Sequence, residues 1–498
     1  MSNKKYILAI DQSTSASKFI LFNKSAELVK RVSIAHQQFY PQQGFVEHDG
    51  EEIFNNVVKG MEQVVKEASV SPDEIAGISI TNQRETSLIW DKATGKPIAK
   101  AAVWQCQRGT EYCNQLKAQG KEAMVREKTG MIIDPYFSAS KLRWILNNTE
   151  GAKEKAQKGD LLLGTMDCWL LWRLTGGKVH ATDYSNACRT LLFNIKTLKW
   201  DEELMQLFDL PSSMFPELKF SDEVFGMSDP SVVFGTPLPI SGLLGDSHAA
   251  LFGQNCFLPG MAKATYGTGS SIMMNIGSKA TEAPRGLVTS IGYGMDGKID
   301  YVFEGNIHCT GDTINWLKNE LQLINSASET EDLAKSVNGT NGVYLVPAFV
   351  GLGAPYWDNS ARASISGMGR DAGKAHVVRA ALESIAYQVK DLIDLMVKEG
   401  GIELKELRAD GGPTRNNFLM QFQSDMLGRG VIRSTIEEVS ALGAAFMAGL
   451  ATGFWSNLEE IKTLYQSDCT FDAQMDSKEN EKLYKGWKLA VKRARLVV

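Results

Sequence analysis

At 498 residues, with 43% apolar and 22% charged positions, the chain has the makeup of a soluble globular protein too long for one ordinary core, so two large domains are expected. A net charge of −5 without a basic block argues against nucleic acid as a partner, and no apolar run approaches the roughly 18 residues of a membrane span, so the chain is not expected to be membrane-embedded. The apolar stretch before Asp11 is too short for a signal sequence, and seven scattered cysteines without a Cys-x-x-Cys pair read as the reduced thiols of a cytoplasmic protein.

Residues 6–10 read as a strand ended by Asp11, followed by a hydroxyl-rich turn at 12–17 and a second strand at 18–22. The tip offers hydroxyls, backbone N–H groups and Lys18, which suits a phosphate, although a Ser/Thr-rich turn alone is ordinary. Residues 51–68 have helical spacing, and 76–81 form a strand leading into Gln83-Arg84-Glu85 and the next strand at 87–90. The Arg84/Glu85 pair could hold a hydroxylated ligand from its donor and acceptor sides, or form a surface ion pair. A strand is expected at 101–105, a helix at 138–148 after Tyr136, an apolar core helix at 164–172 and a turn at 184–189.

Residues 239–253, PISGLLGDSHAALFG, read as an apolar strand that breaks at Gly245, then Asp246, then a small-residue helix. That aspartate either caps the helix or, held at a strand end facing a cleft, carries chemistry. A second hairpin follows, with strands at 262–265 and 272–275 around the turn Tyr266-Gly267-Thr268-Gly269-Ser270-Ser271. Two hairpins with such tips, half a chain apart, point to a duplicated architecture with a phosphate loop in each half. Beyond it come a strand at 344–349, a tight loop at 351–355, an amphipathic helix at 374–399 stopped by Gly400-Gly401, and a strand at 407–410 that meets Gly411-Gly412. Helices at 416–427 and 440–454 follow, the latter small-sided enough to pack tightly beneath a site, and then a charged, solvated tail helix from 478. No P-loop, nucleophile elbow or metal-ligand cluster is present. The run GMGRDA at 367–372 fits a loose dinucleotide pattern without a surrounding βαβ unit, and leaves a nicotinamide enzyme as a remote alternative.

Taken in order, the segments AIDQSTSASKFILF, ISITNQRETSLIWD, VWQCQR, YFSASKLRWIL, ISGLLGDSHAALFGQ, ATYGTGSSIMMN, ALESIAYQ and DGGPTRNNFLMQFQSDMLG resemble the FGGY carbohydrate kinases nearly end to end. The resemblance implies an α/β fold of two ribonuclease-H-like domains, 1–252 and 253–498, around a central cleft. It implies transfer of the γ-phosphate of ATP to a terminal hydroxyl of a small polyol, with glycerol the default acceptor, Mg2+ as the metal, and a homodimer. By family role Asp246 is the general base, and Asp11 with Asp246 would hold Mg2+. Thr14, Ser15, Lys18, Gly267 and Thr268 would face the phosphates, while Gly311, Asn315, Gly412 and Asn416 match the nucleoside side. Arg84, Glu85, Trp104, Tyr136, Asp246 and Ser247 match positions that bind the acceptor.

The chain departs from the glycerol-phosphorylating members at several of these positions. Ser247-His248 replaces a Gln-Gln pair, Ser271 stands where an aromatic packs on the acceptor, and Ser13 and Lys18 replace a glycine and an arginine. A roomier, more polar pocket is therefore expected, and a longer polyol or ketose is an alternative acceptor. Residues 233–238 lack the arginine and the phosphorylated histidine that regulate some relatives. An ATPase of the same superfold without a polyol pocket is a further alternative.

Overall fold

The computed structural model describes residues 4–436 and 438–496. The first sheet is built from β1 (Tyr6–Gln12), β2 (Ala16–Asn23), β3 (Leu28–Ala35), β4 (Ile75–Asn82), β5 (Val224–Met227) and β6 (Pro239–Gly245), in the order β5-β6-β4-β1-β2-β3. The second is built from β7 (Met261–Tyr266), β8 (Ser270–Gly277), β9 (Val288–Met295), β10 (Lys298–Ile307), β11 (Glu406–Asp410), β12 (Val431–Ser434) and β13 (Ser467–Phe471), in the order β9-β10-β8-β7-β11-β12-β13. Both sheets repeat one plan. An antiparallel meander, β3-β2-β1 or β10-β8-β7, continues into two parallel strands, β4 and β6 or β11 and β12, and closes on an antiparallel edge, β5 or β13. This is the duplicated architecture that the paired hairpins point to, in the ribonuclease-H-like form that the family resemblance implies.

Strands β1, β4 and β6 are buried almost throughout, as parallel strands covered on both faces must be. One face of the first sheet is covered by the helix Gly50–Glu67, whose apolar stripe Ile53, Val57, Met61 and Val64 is fully buried. The other face is covered from far along the chain. Ile7, Ala9, Ile20, Phe22 and Leu244 share a core with Leu442, Phe446 and Met447 of the helix Val439–Ala451. That helix crosses the helix Asp246–Gly253 backbone to backbone: a Cβ at Gly443 would sit 1.8 Å from the Ala249 carbonyl oxygen, so only glycine fits there. The small-residue helix thus packs beneath the strand carrying Asp246, as its composition implies. The second sheet packs against the long helix Lys374–Gly400, ended by a left-handed Gly401.

Several local expectations are corrected. The apolar run at 164–172 is a strand, Leu161–Thr165, joined directly to a helix, Met166–Leu174, so continuous burial hides the change of period. The strand expected at 101–105 is only Ala101–Ala102, and that at 344–349 only Tyr344–Val346. The turn at 184–189 contains one helical turn, Tyr184–Ala187, capped by Asp183. The tail helix, Ser477–Ala494, is not solvated all round: Trp487 is fully buried, stacks 5.3 Å from Tyr387 and donates to Asp391 at 2.9 Å. Residues 497 and 498 lie outside the described chain. The GMGRDA run follows the three-residue strand Ser364–Ser366 of an antiparallel pair, which is not the setting of a dinucleotide loop.

Candidate active site

Parallel strands β1, β4 and β6 end side by side, with Gln12 opposite Asn82 and Asn82 opposite Gly245. The residues just beyond these ends are the turn at 13–15, Arg84-Glu85 and Asp246, at the carboxyl edge where open α/β sheets bind ligands. Asp246 is the first residue of its helix, and the N-cap position belongs to Gly245. Its carboxylate accepts from the Ser247 N–H at 2.6 Å and keeps 38% of its side-chain surface exposed, so capping does not consume it. Burial around it raises its pKa, and Arg84, with Nε 3.4 Å from Oδ1, works in the opposite direction.

Arg84 and Glu85 are not a surface pair. Both are buried, and they belong to a four-charge cluster that joins the two halves of the chain. Arg84 donates to Glu304 at 2.8 Å and to the Tyr136 hydroxyl at 3.1 Å, while Arg189 donates to Glu85 at 2.7 Å and to Glu304 at 2.6 Å. Two guanidinium groups hold the Glu304 carboxyl down at about 2 against the opposing pull of burial. Arg84 takes a left-handed backbone (φ 59°), a strained conformation held in place by these contacts. The half-buried rings of Trp104 and Tyr136 stand edge to face, 5.6 Å apart, and form an apolar wall beside the cluster. Trp104 Nε1 also donates to Thr14 Oγ1 at 3.0 Å, tying this wall to the first hairpin turn.

In that turn Ser15 is exposed, Thr14 half-buried, and Ser13 closes the loop onto the Ala16 carbonyl. Asp11 is buried, and burial raises its pKa to about 6 against the pull of Lys18. Lys18 lies 3.5 Å from Asp11 and 2.7 Å from Glu438, which also accepts from Arg31 at 2.8 Å.

The second sheet supplies a matching edge. Strands β7 and β11 end together, with Thr265 opposite Asp410, and continue into Gly267-Thr268 and Gly411-Gly412. Gly411, at φ 99°, could carry no side chain, since a Cβ would meet the Tyr266 carbonyl at 2.0 Å. Gly311 N donates to the Gly267 carbonyl at 2.9 Å, and the N–H groups of Thr310 and Asp312 both reach the Thr268 carbonyl. These contacts bring Gly267, Thr268 and Gly311 to one place, and Gly311 lies against Pro413, next to Gly412. Asn315 is exposed one turn along the helix Gly311–Asn319. Asn416 caps the helix Asn417–Leu427 and donates to Thr330 at 3.0 Å.

Sequence reasoning did not find Glu304, Arg189 or Glu438, nor the buried Lys263, which donates to Thr265 and Ser271 at 3.2 Å each at the second sheet's edge. The signal available for Glu304 and Lys263 was a single charge inside an apolar strand, YVFEGNI and MAKATY, which a buried strand carries only with a partner.

The N-terminal domain of the FGGY family of carbohydrate kinases matches residues 6–253, and its C-terminal domain matches residues 262–452. The chain belongs to the FGGY family of carbohydrate kinases. Among FGGY relatives, the glycerol kinase of Geobacillus sp. (strain WCH70) is 51% identical over 491 residues, 99% of each chain. The glycerol kinase of Carboxydothermus hydrogenoformans is 52% identical over 492 residues, 99% of this chain and 98% of that one. The Plasmodium falciparum glycerol kinase crystallised with ADP superposes with a TM-score of 0.94 at 38% identity, covering 99% of this chain and 98% of that one. The fold extends to the xylulose kinase of Lactobacillus acidophilus, at TM-score 0.87 and 23% identity over 98% of this chain and 97% of that one. Among the described residues no helix is long and apolar enough to cross a membrane.

Proposed function

We propose that this FGGY kinase transfers the γ-phosphoryl group of ATP to a terminal hydroxyl of glycerol, giving glycerol 3-phosphate and ADP. The observation that carries the reading is the open Asp246 carboxylate, 3.4 Å from a buried Arg84, beside the Trp104/Tyr136 wall. Arg84 and Glu85 orient the acceptor's hydroxyls, with Ser247 beside them, and the two rings cover its carbons. Asp246 takes the proton of the terminal hydroxyl as that oxygen bonds to the γ-phosphorus, and the bond from phosphorus to the ADP oxygen breaks. Phosphoryl transfer needs little beyond positioning and charge neutralisation. Thr14, Ser15, Lys18, Gly267 and Thr268 provide these at the phosphates, while Gly311, Asn315, Gly412 and Asn416 hold the nucleoside. On this reading residues 1–252 carry the acceptor site and 253–498 the nucleotide.

A magnesium ion that arrives with the nucleotide suits the site. Among the described residues no group of three or more carboxylate, His or Cys side chains forms a closed cage. Magnesium commonly takes one or two carboxylates and completes its shell with water and phosphate oxygens. Asp11 and Asp246 would hold it, and when bound it offsets phosphate charge. The seven unpaired cysteines support a cytoplasmic setting, and the family resemblance supports a homodimer. The test is coupled ADP release with Mg-ATP: acceptor-dependent turnover with glycerol is expected, and ADP release indifferent to any polyol would instead mark an ATPase of the same superfold.

A further inference from the structure

Behind the turn at 13–15 lies a set of buried polar side chains that the transfer itself does not use. His48 comes from the short strand Glu47–His48, which pairs with Ala101–Ala102 just before Trp104. Gln83 follows the end of β4 and precedes Arg84. His48 and Thr86 are fully buried and Gln83 is 3% exposed, so these residues act through their neighbours and not on a ligand.

Their hydrogen bonds all run one way. The Trp104 backbone N–H donates to Thr86 Oγ1 at 3.1 Å, and Thr86 donates to Gln83 Oε1 at 2.9 Å. The Gln83 amide has two protons: one goes to Gln12 Oε1 at 3.0 Å, the other to His48 Nδ1 at 3.3 Å. An Nδ1 that accepts leaves the proton of a neutral imidazole on Nε2, which donates to Gln38 Oε1 at 2.7 Å. Gln38 Nε2 in turn donates to the Thr14 carbonyl at 2.8 Å. The Trp104 indole closes the ring, donating to Thr14 Oγ1 at 3.0 Å.

Thr14 is thereby gripped at its carbonyl and at its hydroxyl oxygen. Among the described residues no acceptor takes its own O–H, which is left for a ligand. Bonds that follow one another in this way polarise each other, so the ring is stiffer than its members taken singly. It joins two parts of the site that no secondary-structure ladder joins, the turn at 13–15 and the wall at Trp104.

We propose that Gln38, His48 and Gln83 are positioning residues for phosphoryl transfer, which hold the turn facing the phosphates in register with the wall facing the acceptor. The proposal rests on the polyol kinase reading above. A transfer that depends on in-line approach loses rate steeply when its two reactants are offset, even where each still binds.

The test measures turnover at saturating glycerol and Mg-ATP per ADP-binding site, with the sites counted by calorimetric titration so that misfolded protein cancels. Gln38 is half-buried, and Gln38→Met removes its amide while keeping its length. This variant is expected to lose about tenfold in kcat, the scale of one lost hydrogen bond, while the KM of each substrate changes by less than about threefold. His48→Leu is expected to lose at least as much. His48→Gln restores a donor to Gln38 and is expected to recover part of that loss, which a residue that only filled space would not show. A kcat per site within about twofold of wild type in Gln38→Met, or a His48→Gln no faster than His48→Leu, would overturn the positioning while leaving the kinase reading intact. If His48→Leu does not fold, Gln38→Met decides alone. Wild-type enzyme without glycerol-dependent turnover would overturn the kinase reading, and the positioning with it.

Discussion

Glu304 Oε1 accepts from Arg84 Nη1 at 2.8 Å, across the boundary between the two sheets. Its second oxygen accepts from Arg189 at 2.6 Å, so one carboxylate of the second sheet fixes two guanidinium groups of the first half. An amide offers only one acceptor oxygen and no charge. Glu304→Gln is therefore expected to leave two buried arginines with one buried carboxylate, Glu85, and the part-exposed Asp246, at a stability cost of about 3–5 kcal/mol. It should also let Arg84 turn away from Asp246. The checks are the urea midpoint and the glycerol KM, the first falling and the second rising; a variant matching wild type in both would show that the cluster positions nothing.

Asp246→Asn removes the proton acceptor but keeps size and shape. Its kcat should fall by about 10²–10⁴, the range of a lost general base. ADP affinity, followed by calorimetric titration, should stay near that of wild type, because on the proposed reading Asp246 faces the acceptor while the nucleoside lies along the second sheet's edge. Equal turnover would remove Asp246 from the role of base.

His48 gives a pH dependence with a definite sign. It is buried, its ring nitrogens meet Gln38 at 2.7 Å and Gln83 at 3.3 Å, and the His36 ring lies 4.6 Å away. Burial, with a smaller contribution from His36, brings its pKa down to about 3 from 6.5. Below pH 6.5 the unfolded chain takes up a proton that the folded chain refuses. This group therefore costs up to about 1.4 kcal/mol of stability per pH unit as pH falls from 6.5 toward 3. His48→Gln should flatten the fall in unfolding midpoint measured between pH 6.5 and 4.5, whatever it does at neutral pH; an unchanged slope would contradict the assignment.

Gly443→Val puts a branched side chain where a single Cβ already meets the Ala249 carbonyl oxygen at 1.8 Å. Two helix backbones must then separate, and a loss of about 3 kcal/mol or more is expected, read as a lower urea midpoint. Because Asp246 begins the partner helix, residual kcat should drop in protein that is still folded.

What was legible in the chain follows the range of the interactions. The strand before Asp246, both hairpin turns and the helix stopped at Gly401 are set by neighbours within a few residues, and periodicity, glycine and hydroxyl positions reveal them. The charge cluster is set by partners that share no local pattern: Arg84 meets Glu304 from 220 positions away, and Lys18 meets Glu438 from 420. From the pair alone Arg84 and Glu85 read as a surface ion pair, and only the family resemblance points them to the acceptor; the fold buries both. The join at Thr165 was hidden for a different reason, since a strand and a helix buried on all sides read alike.

The helix Val439–Ala451 also bears on how the protein is made. It covers the face of the first sheet that carries Ile7, Ala9, Ile20, Phe22 and Leu244, and it is synthesised long after them. At synthesis rates of about 5–20 residues per second, that face waits roughly ten to forty seconds for its cover to leave the ribosome. The nascent first half therefore presents an apolar sheet to the cell throughout that interval. A chaperone that shields that face, or a translation rate that shortens the wait, is expected to raise the yield of active enzyme.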